Sequence, residues 1–136
     1  MVDPQYAAAA KQQRSKTILV VDDEPVVRQV VHDYLLLRRY NVLTAADGQA
    51  ALALLASTPQ LPHLILLDVM MPGLDGFEVL ARLKRDDRTK KIPVIMLTAR
   101  GETSAIFQSQ DLRATDYVIK PVDLEELVEV IQRHVF

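Results

Sequence analysis

Short apolar runs alternate along this chain with segments in which apolar residues recur every three or four positions. An apolar run without polar alternation is typical of a strand that is buried on both faces, as in a parallel sheet. Such runs occur at residues 17–21, 41–45, 63–68, 92–97 and 116–120. Helical spacing follows them at residues 25–38, 49–56, 77–83, 101–112 and 124–135. Five strands alternating with five helices predict a doubly wound α/β domain.

Polar residues of distinct chemistry stand where four of these strands end: Asp22 and Asp23, Asp68, Thr98 and Lys120. The carboxyl ends of parallel strands share one edge of a sheet, so these side chains are expected to lie together. Taken singly, each has an ordinary explanation, since aspartate caps helices, threonine suits strands and lysine is commonly a solvated cation. Their joint occurrence at one edge favours a functional site.

The chemistry of that site follows from its charge. Three carboxylates at one edge would repel one another and raise their pKa values unless cations neutralised them. Lys120 supplies one positive charge, and a divalent metal is expected to supply the rest. Ligation by oxygen alone suits Mg²⁺, and Mn²⁺ can substitute for it. Such a site attracts a phosphoryl group, whose transfer depends on positioning and charge neutralisation.

The composition excludes several other classes of protein. With 136 residues, 49% hydrophobic and 25% charged, the chain suits one globular domain with a real core. Its net charge of −2 argues against a nucleic-acid surface, and it has no cysteine for thiol chemistry. It shows neither an apolar stretch that could span a membrane nor a signal peptide. We expect a cytoplasmic domain at residues 17–136, preceded by a tail at residues 1–16.

Nearly the whole chain, residues 16–136, resembles the receiver domain of two-component response regulators, in particular the single-domain type that resembles chemotaxis regulators. The resemblance is carried by residues 18–24, 46–48, 66–76, 93–99 and 116–121. It implies a flavodoxin-like, five-stranded parallel sheet of order 2-1-3-4-5 with five helices. It also implies that Asp68 accepts a phosphoryl group.

The resemblance assigns a role to each residue of the predicted site. Asp23, Asp68 and the backbone carbonyl of Met70 would bind Mg²⁺, and Asp22 would help through a metal-bound water. Thr98 and Lys120 would each hold a phosphoryl oxygen. The Lys120–Pro121 peptide bond is expected to be cis, which proline tolerates. Tyr117 would be a switch whose ring turns inward when Thr98 moves, although a lone tyrosine is more commonly a half-buried strand residue.

By the same resemblance, the phosphoryl donor is a sensor histidine kinase or a histidine phosphotransfer protein, and the output is contact with a downstream protein. The domain would promote its own phosphorylation and dephosphorylation without being an enzyme for a separate substrate. Arg113, Gln110 and Val122 depart from the usual family pattern, which has glycine, a small apolar residue and an aromatic there. We expect a monomer or weak dimer, because Val130 stands where a basic residue would pair with Glu126 across a two-fold axis.

A flavodoxin-like domain that binds a small cofactor would share this strand order and is the alternative. A mononucleotide phosphate requires a loop rich in serine, threonine or glycine after the first strand, where backbone N–H groups can bind it. The corresponding loop here is Asp22-Asp23-Glu24, whose charge would repel a phosphate. The acidic loop therefore favours the receiver interpretation.

Overall fold

A computed structural model describes residues 16–99 and 113–135 of the chain. Five parallel strands form one sheet in the order β2-β1-β3-β4-β5, which confirms the predicted topology. The strands are β1 (Thr17–Val21), β2 (Asn41–Ala45), β3 (Leu64–Asp68), β4 (Val94–Ala99) and β5 (Asp116–Lys120). The three central strands are almost completely buried, as their unbroken apolar runs predict.

Four helices occur in the described part of the chain. They are α1 (Pro25–Leu37), α2 (Gly48–Ser57), α3 (Gly76–Arg85) and α4 (Leu124–His134). The helix expected at residues 101–112, like most of the expected N-terminal tail, lies outside the described residues. None of the described helices combines the length and the apolar character that a membrane crossing requires.

The helices cover the two faces of the sheet in pairs. One apolar core joins α2 and α3 to the face that carries Leu19 and Val21. The other joins α1 and α4 to the face that carries Ile18 and Val20. Successive strand residues therefore enter opposite cores, which leaves the strand ends as the place where polar side chains can gather.

Two strand boundaries differ from the predicted ones. β3 begins at Leu64, one residue later than predicted. His63 is exposed and lies just before the strand, where its backbone N–H donates to the carbonyl of Thr17 at 2.8 Å. The ring Nδ1 of His63 in turn accepts a hydrogen bond from the backbone N–H of Thr17 at 3.0 Å. β4 begins at Val94, after a turn in which the N–H of Ile92 donates to the carbonyl of Thr89. It continues through Ala99, so that Thr98 belongs to the strand.

Aspartates begin three of the four described helices. The carboxylates of Asp47, Asp75 and Asp123 accept hydrogen bonds from backbone N–H groups in the first turns of α2, α3 and α4. Helix α1 differs, because its N-cap residue Glu24 makes no such bond with its side chain. Pro25 opens this helix instead, at a position where a missing N–H costs nothing. The carboxylate of Glu24 is therefore left for another contact.

Candidate functional site

The strand register brings the predicted residues to one edge of the sheet. Val21 of β1 pairs with Leu67 of β3, so Asp22 and Asp68 follow side by side. Asp68 pairs with Leu97, which places Thr98 one residue beyond it on β4. On the far side of β4, Ala99 pairs with Lys120. The lysine therefore begins two strands away from Asp68 and reaches the acids with its long side chain.

The Nζ atom of Lys120 lies among three carboxylates. It is 2.9 Å from Oδ2 of Asp22, 3.3 Å from Oε1 of Glu24 and 3.4 Å from Oδ2 of Asp68. Asp22 is completely buried and Asp68 is 4% exposed, whereas the Glu24 side chain is 59% exposed. One ammonium group therefore partly neutralises two buried acids and one surface acid.

Hydrogen bonds hold both the side chain and the backbone carbonyl of Asp22. Its Oδ1 accepts a hydrogen bond from the N–H of Glu24 at 2.9 Å, and its carbonyl accepts one from Nη1 of Arg28 at 2.7 Å. Its Oδ2 is buried and has no partner in hydrogen-bond geometry among the described residues, although Lys120 lies close to it. A buried carboxylate oxygen left in this way is an open ligand position for a cation.

The electrostatic environment strongly perturbs Asp68. Burial raises the pKa of its carboxyl to about 7; the charge of Asp22 and a hydrogen bond with Asp23 act in the same direction, and Lys120 opposes them. Burial alone would lower the pKa of Lys120, but contact with Asp22 and the charges of Asp68 and Glu24 raise it above the ordinary value. The site therefore carries more negative than positive charge and suits a further cation.

The donor set suits a small divalent cation. Asp22, Glu24 and Asp68 each offer a carboxylate oxygen, and these oxygens all lie within 4.8 Å of one another. Oxygen ligands and excess negative charge are what Mg²⁺ requires. Asp23 is half-buried beside this group without belonging to it, and Met70 is exposed in the loop after β3. The assignment of Asp23 and the Met70 carbonyl as ligands stays a prediction.

Thr98 lies on β4, the strand beside that of Asp68, and Tyr117 lies one strand further away, on β5. Thr98 is buried, and its hydroxyl lies 3.4 Å from the carbonyl of Ala99. Tyr117 is half-buried and packs against the core beneath α2 and α3. The expected cis bond between Lys120 and Pro121 is confirmed. The proposed switch, in which the two side chains move together, stays a prediction.

The sequence argument missed two site residues and one constraint. Glu24 reaches Lys120, and Arg28 binds the Asp22 carbonyl from the first turns of α1. A third acid directly after Asp22 and Asp23 was a sequence signal for Glu24. The role of Arg28 can be seen only once it is known which side of α1 faces the site. Gly76 is the constraint: a Cβ there would lie 2.3 Å from the carbonyl oxygen of Asp68. The chain therefore needs glycine where the loop after β3 returns to the site.

An apolar groove opens beside the acidic residues. Its volume is about 550 Å³, and it is bounded by α1, the end of β4 and the segment that follows β5. The lining residues are Glu24, Val26, Val27, Val30, Val31, Ala99, Lys120, Pro121, Val122 and Leu124. Charged groups of the site thus form one rim of a mainly valine-lined surface, on which Val26 is 75% exposed.

Comparison with known proteins agrees with this geometry. The family model described as the response regulator receiver domain matches residues 18–132. The chain belongs to this family. The receiver domain is 45% identical over 113 residues to the phosphate regulon transcriptional regulatory protein PhoB of Pseudomonas aeruginosa, covering 83% of this chain and 48% of that protein. It is 44% identical over 111 residues to RpaA of Synechocystis sp., a DNA-binding dual master transcriptional regulator, covering 82% and 45%.

Solved structures show the same fold. The Vibrio cholerae chemotaxis protein CheY4 superposes with a TM-score of 0.81 at 33% identity, covering 88% of this chain and 98% of that chain. The receiver domain of NtrX from Brucella abortus gives 0.79 at 31% identity, covering 87% and 97%. These matches give no support to the cofactor-binding alternative. This response regulator receiver domain spans just under half the length of PhoB and RpaA.

Proposed function

We propose that Asp68 is the phosphoacceptor of this receiver domain. The observation that carries the proposal is its position at the end of β3, beside the Asp22 carboxylate and the Lys120 ammonium. A nucleophilic carboxylate needs a cation to shield it from an anionic donor. Lys120 lies 3.4 Å from Asp68 and provides part of that shielding, and it is placed to stay with the phosphoryl oxygens.

Transfer follows from this arrangement. A lone pair of an Asp68 oxygen attacks the phosphorus of a phosphohistidine, and a P–O bond forms as the P–N bond breaks. The bonding electrons stay on the imidazole nitrogen of the donor, which is then protonated. Dephosphorylation removes the phosphoryl group: a water oxygen bonds to phosphorus as the P–O bond to Asp68 breaks. The bonding electrons return to the Asp68 carboxylate, and inorganic phosphate leaves after the attacking water has lost its protons to phosphate and solvent. We propose that the domain promotes both steps.

Asp23, Asp68 and the Met70 carbonyl would hold Mg²⁺, and the buried Asp22 would help through a metal-bound water. The buried Oδ2 of Asp22, which has no hydrogen-bond partner among the described residues, and the raised pKa of Asp68 both suit the binding of a cation. When bound, Mg²⁺ would neutralise the carboxylates and the charge of the transferring group. Mn²⁺ would serve the same purpose because it prefers similar oxygen ligands.

The switch that we propose links Thr98 to Tyr117. A phosphoryl group on Asp68 adds acceptor oxygens beside the neighbouring strand, and the Thr98 hydroxyl is the donor one residue beyond the paired Leu97. A shift of Thr98 would vacate space for the Tyr117 ring; the rearrangement expected at residues 100–113 falls almost entirely outside the described residues. Amide exchange with and without a beryllofluoride analogue of the phosphoryl group measures that coupling.

The groove beside the site is a suitable docking surface for the donor, a histidine kinase or histidine phosphotransfer protein. It is apolar along α1 and ends at Lys120 and Glu24, so a helix lying in it could present its histidine to Asp68. Output would pass to a downstream protein, and the domain would act as a monomer or weak dimer. These partners are proposals for this chain.

Labelling with a small acyl phosphate tests the phosphoacceptor proposal. We expect acid-stable, hydroxylamine-sensitive label that requires Mg²⁺ or Mn²⁺ and is lost with EDTA. A Glu129→Gln variant, altered on the exposed surface of α4, should be labelled as well as the natural chain. Label that forms equally without a divalent cation would contradict the proposal.

A further inference from the structure

Glu24 is the exposed member of the group around Lys120. Its backbone position is fixed, because its N–H donates to Oδ1 of Asp22 and Pro25 follows it at the start of α1. Its carboxylate is not used to cap that helix. It accepts a hydrogen bond from Nζ of Lys120 at 3.3 Å. The buried Oδ2 of Asp22 lies nearer to Nζ but outside hydrogen-bond geometry.

We infer that Glu24 is a positioning residue that competes with Asp68 for the Lys120 ammonium before phosphorylation. This inference rests on the proposed role of Asp68. The ammonium is shared, because it lies 3.3 Å from Oε1 of Glu24 and 3.4 Å from Oδ2 of Asp68, whereas a phosphoryl group on Asp68 would require it at the phosphoryl oxygens. Glu24 is largely exposed, so its hold on the ammonium is weak enough to be released.

Two consequences follow for phosphorylation. Lys120 must exchange the Glu24 carboxylate for a phosphoryl oxygen, which slows transfer. The Glu24 charge also stands at the rim through which an anionic donor enters, and like charges reduce the rate of encounter. The first effect depends on the acceptor oxygen of the side chain and the second depends only on its charge, so substitutions can separate them.

The test compares Glu24→Gln with Glu24→Ala, using a small acyl phosphate at saturating Mg²⁺. Glutamine removes the charge but retains an acceptor oxygen at the same reach, whereas alanine removes both. We expect labelling to rise in the order natural chain, Gln, Ala, with Ala faster by roughly three- to tenfold. Glu129→Gln is the matched control, because it removes the same charge from the exposed surface of α4 and should leave the rate unchanged.

Rates of Ala and Gln that rise equally would show that only charge matters and would overturn the positioning role. If the natural chain takes label, unchanged or slower labelling of Glu24→Ala would overturn it too. A second measurement does not depend on phosphorylation: nitrogen-15 relaxation of the Lys120 ammonium should show greater mobility in Glu24→Ala than in the natural chain. Equal mobility would overturn the inference. If the natural chain takes no label while the ammonium is released in Glu24→Ala, the phosphoacceptor proposal has failed and the positioning role stands.

Discussion

The ammonium of Lys120 lies 2.9 Å from the carboxylate of Asp22, although the two residues belong to opposite ends of the folded sequence. The contact spans from the loop after β1 to the end of β5, with β3 and β4 between them in the sheet. Asp68 is 3.4 Å from the same ammonium. The sheet thereby assembles a charged site from three segments of the chain, and its unbalanced negative charge accounts for several measurable properties.

Magnesium affinity should depend on pH around neutrality. Because burial raises the pKa of Asp68 to about 7, protons compete with the metal for this carboxylate as the pH falls below that value. We expect the magnesium dissociation constant, measured by titration calorimetry, to increase about tenfold for each pH unit below 7 until other carboxylates titrate. Asp68→Asn should bind more weakly and lose this dependence. A pH-independent affinity between pH 5 and 7.5 in the natural chain would contradict the raised pKa.

Removing the Asp68 charge should stabilise the metal-free protein at high pH. The folded pKa of about 7 exceeds the ordinary 3.8, so the folded state binds the extra proton between these values. The free energy of unfolding therefore falls as the pH rises through this window, and Asp68→Asn lacks that loss. We expect the advantage of Asp68→Asn over the natural chain to grow by about 1–3 kcal/mol between pH 4 and 8.

Urea denaturation with EDTA present measures this difference. Asp87→Asn is the control, because Asp87 is exposed and contacts only the exposed Lys90 among the described residues. Its stability difference from the natural chain should not increase over the same pH range. An advantage of Asp68→Asn that is constant with pH would show that Asp68 is ionised normally.

The strands and the positions of Asp22, Asp68 and Lys120 were predictable because they rest on local pattern. An unbroken apolar run determines a buried strand, and the residue that follows it must appear at the sheet edge. The contact between Glu24 and Lys120 was not predictable in this way. It depends on how α1 begins, on the bond from the Glu24 N–H to Asp22, and on the reach of a lysine two strands away.

Backbone constraints were also invisible in the pattern. Arg39 adopts φ 74° directly after α1. Its N–H donates to the carbonyl of Leu36, and the N–H of Tyr40 donates to the carbonyl of Leu35. Glycine is the usual residue in that conformation, so the sequence carried no sign of the turn. Arg113 has φ 66° and stands where the family pattern has glycine. The family pattern marked that position, but only the structure shows that the arginine takes the glycine-like conformation.

Substituting Gly76 should damage the site more than substituting Gly73. A Cβ at Gly76 would lie 2.3 Å from the carbonyl oxygen of Asp68 and 2.8 Å from Cα of Val69, both backbone atoms that must shift. We expect Gly76→Ala to cost about 2–3 kcal/mol of stability and to reduce labelling. Gly73→Ala has free space around it and only a φ of 76° to maintain, so it should cost about 1 kcal/mol and leave labelling intact.

Thermal unfolding and acyl phosphate labelling of both variants check this prediction. Equal effects of the two substitutions on labelling would contradict the claim that Gly76 allows the loop after β3 to return beside Asp68.

Filling the apolar groove should separate two kinds of phosphoryl donor. Val30 lines the groove and is 47% exposed, so Val30→Phe would add a ring to the α1 side of the groove. We expect transfer from a phosphorylated histidine-containing protein to slow by about tenfold, since its helix no longer fits. Labelling by a small acyl phosphate should change little. Ile119→Phe, on β5 outside the lining residues, is the control of similar size.

Rapid-quench kinetics of phosphoryl transfer from the protein donor and from the small acyl phosphate test this prediction. A similar loss with both donors would mean that the new ring disturbs Lys120 itself. No loss with the protein donor would exclude the groove as its docking surface.

The most direct test of the account is the location of the phosphoryl group. The protein is labelled by an acyl phosphate with Mg²⁺, reduced with borohydride to convert the acyl phosphate to homoserine, digested and sequenced by mass spectrometry. The account predicts modification at Asp68 alone, and none in Asp68→Asn, whose fold should be retained. Modification at Asp22 or Asp23 in the natural chain, or undiminished label on Asp68→Asn, would contradict it.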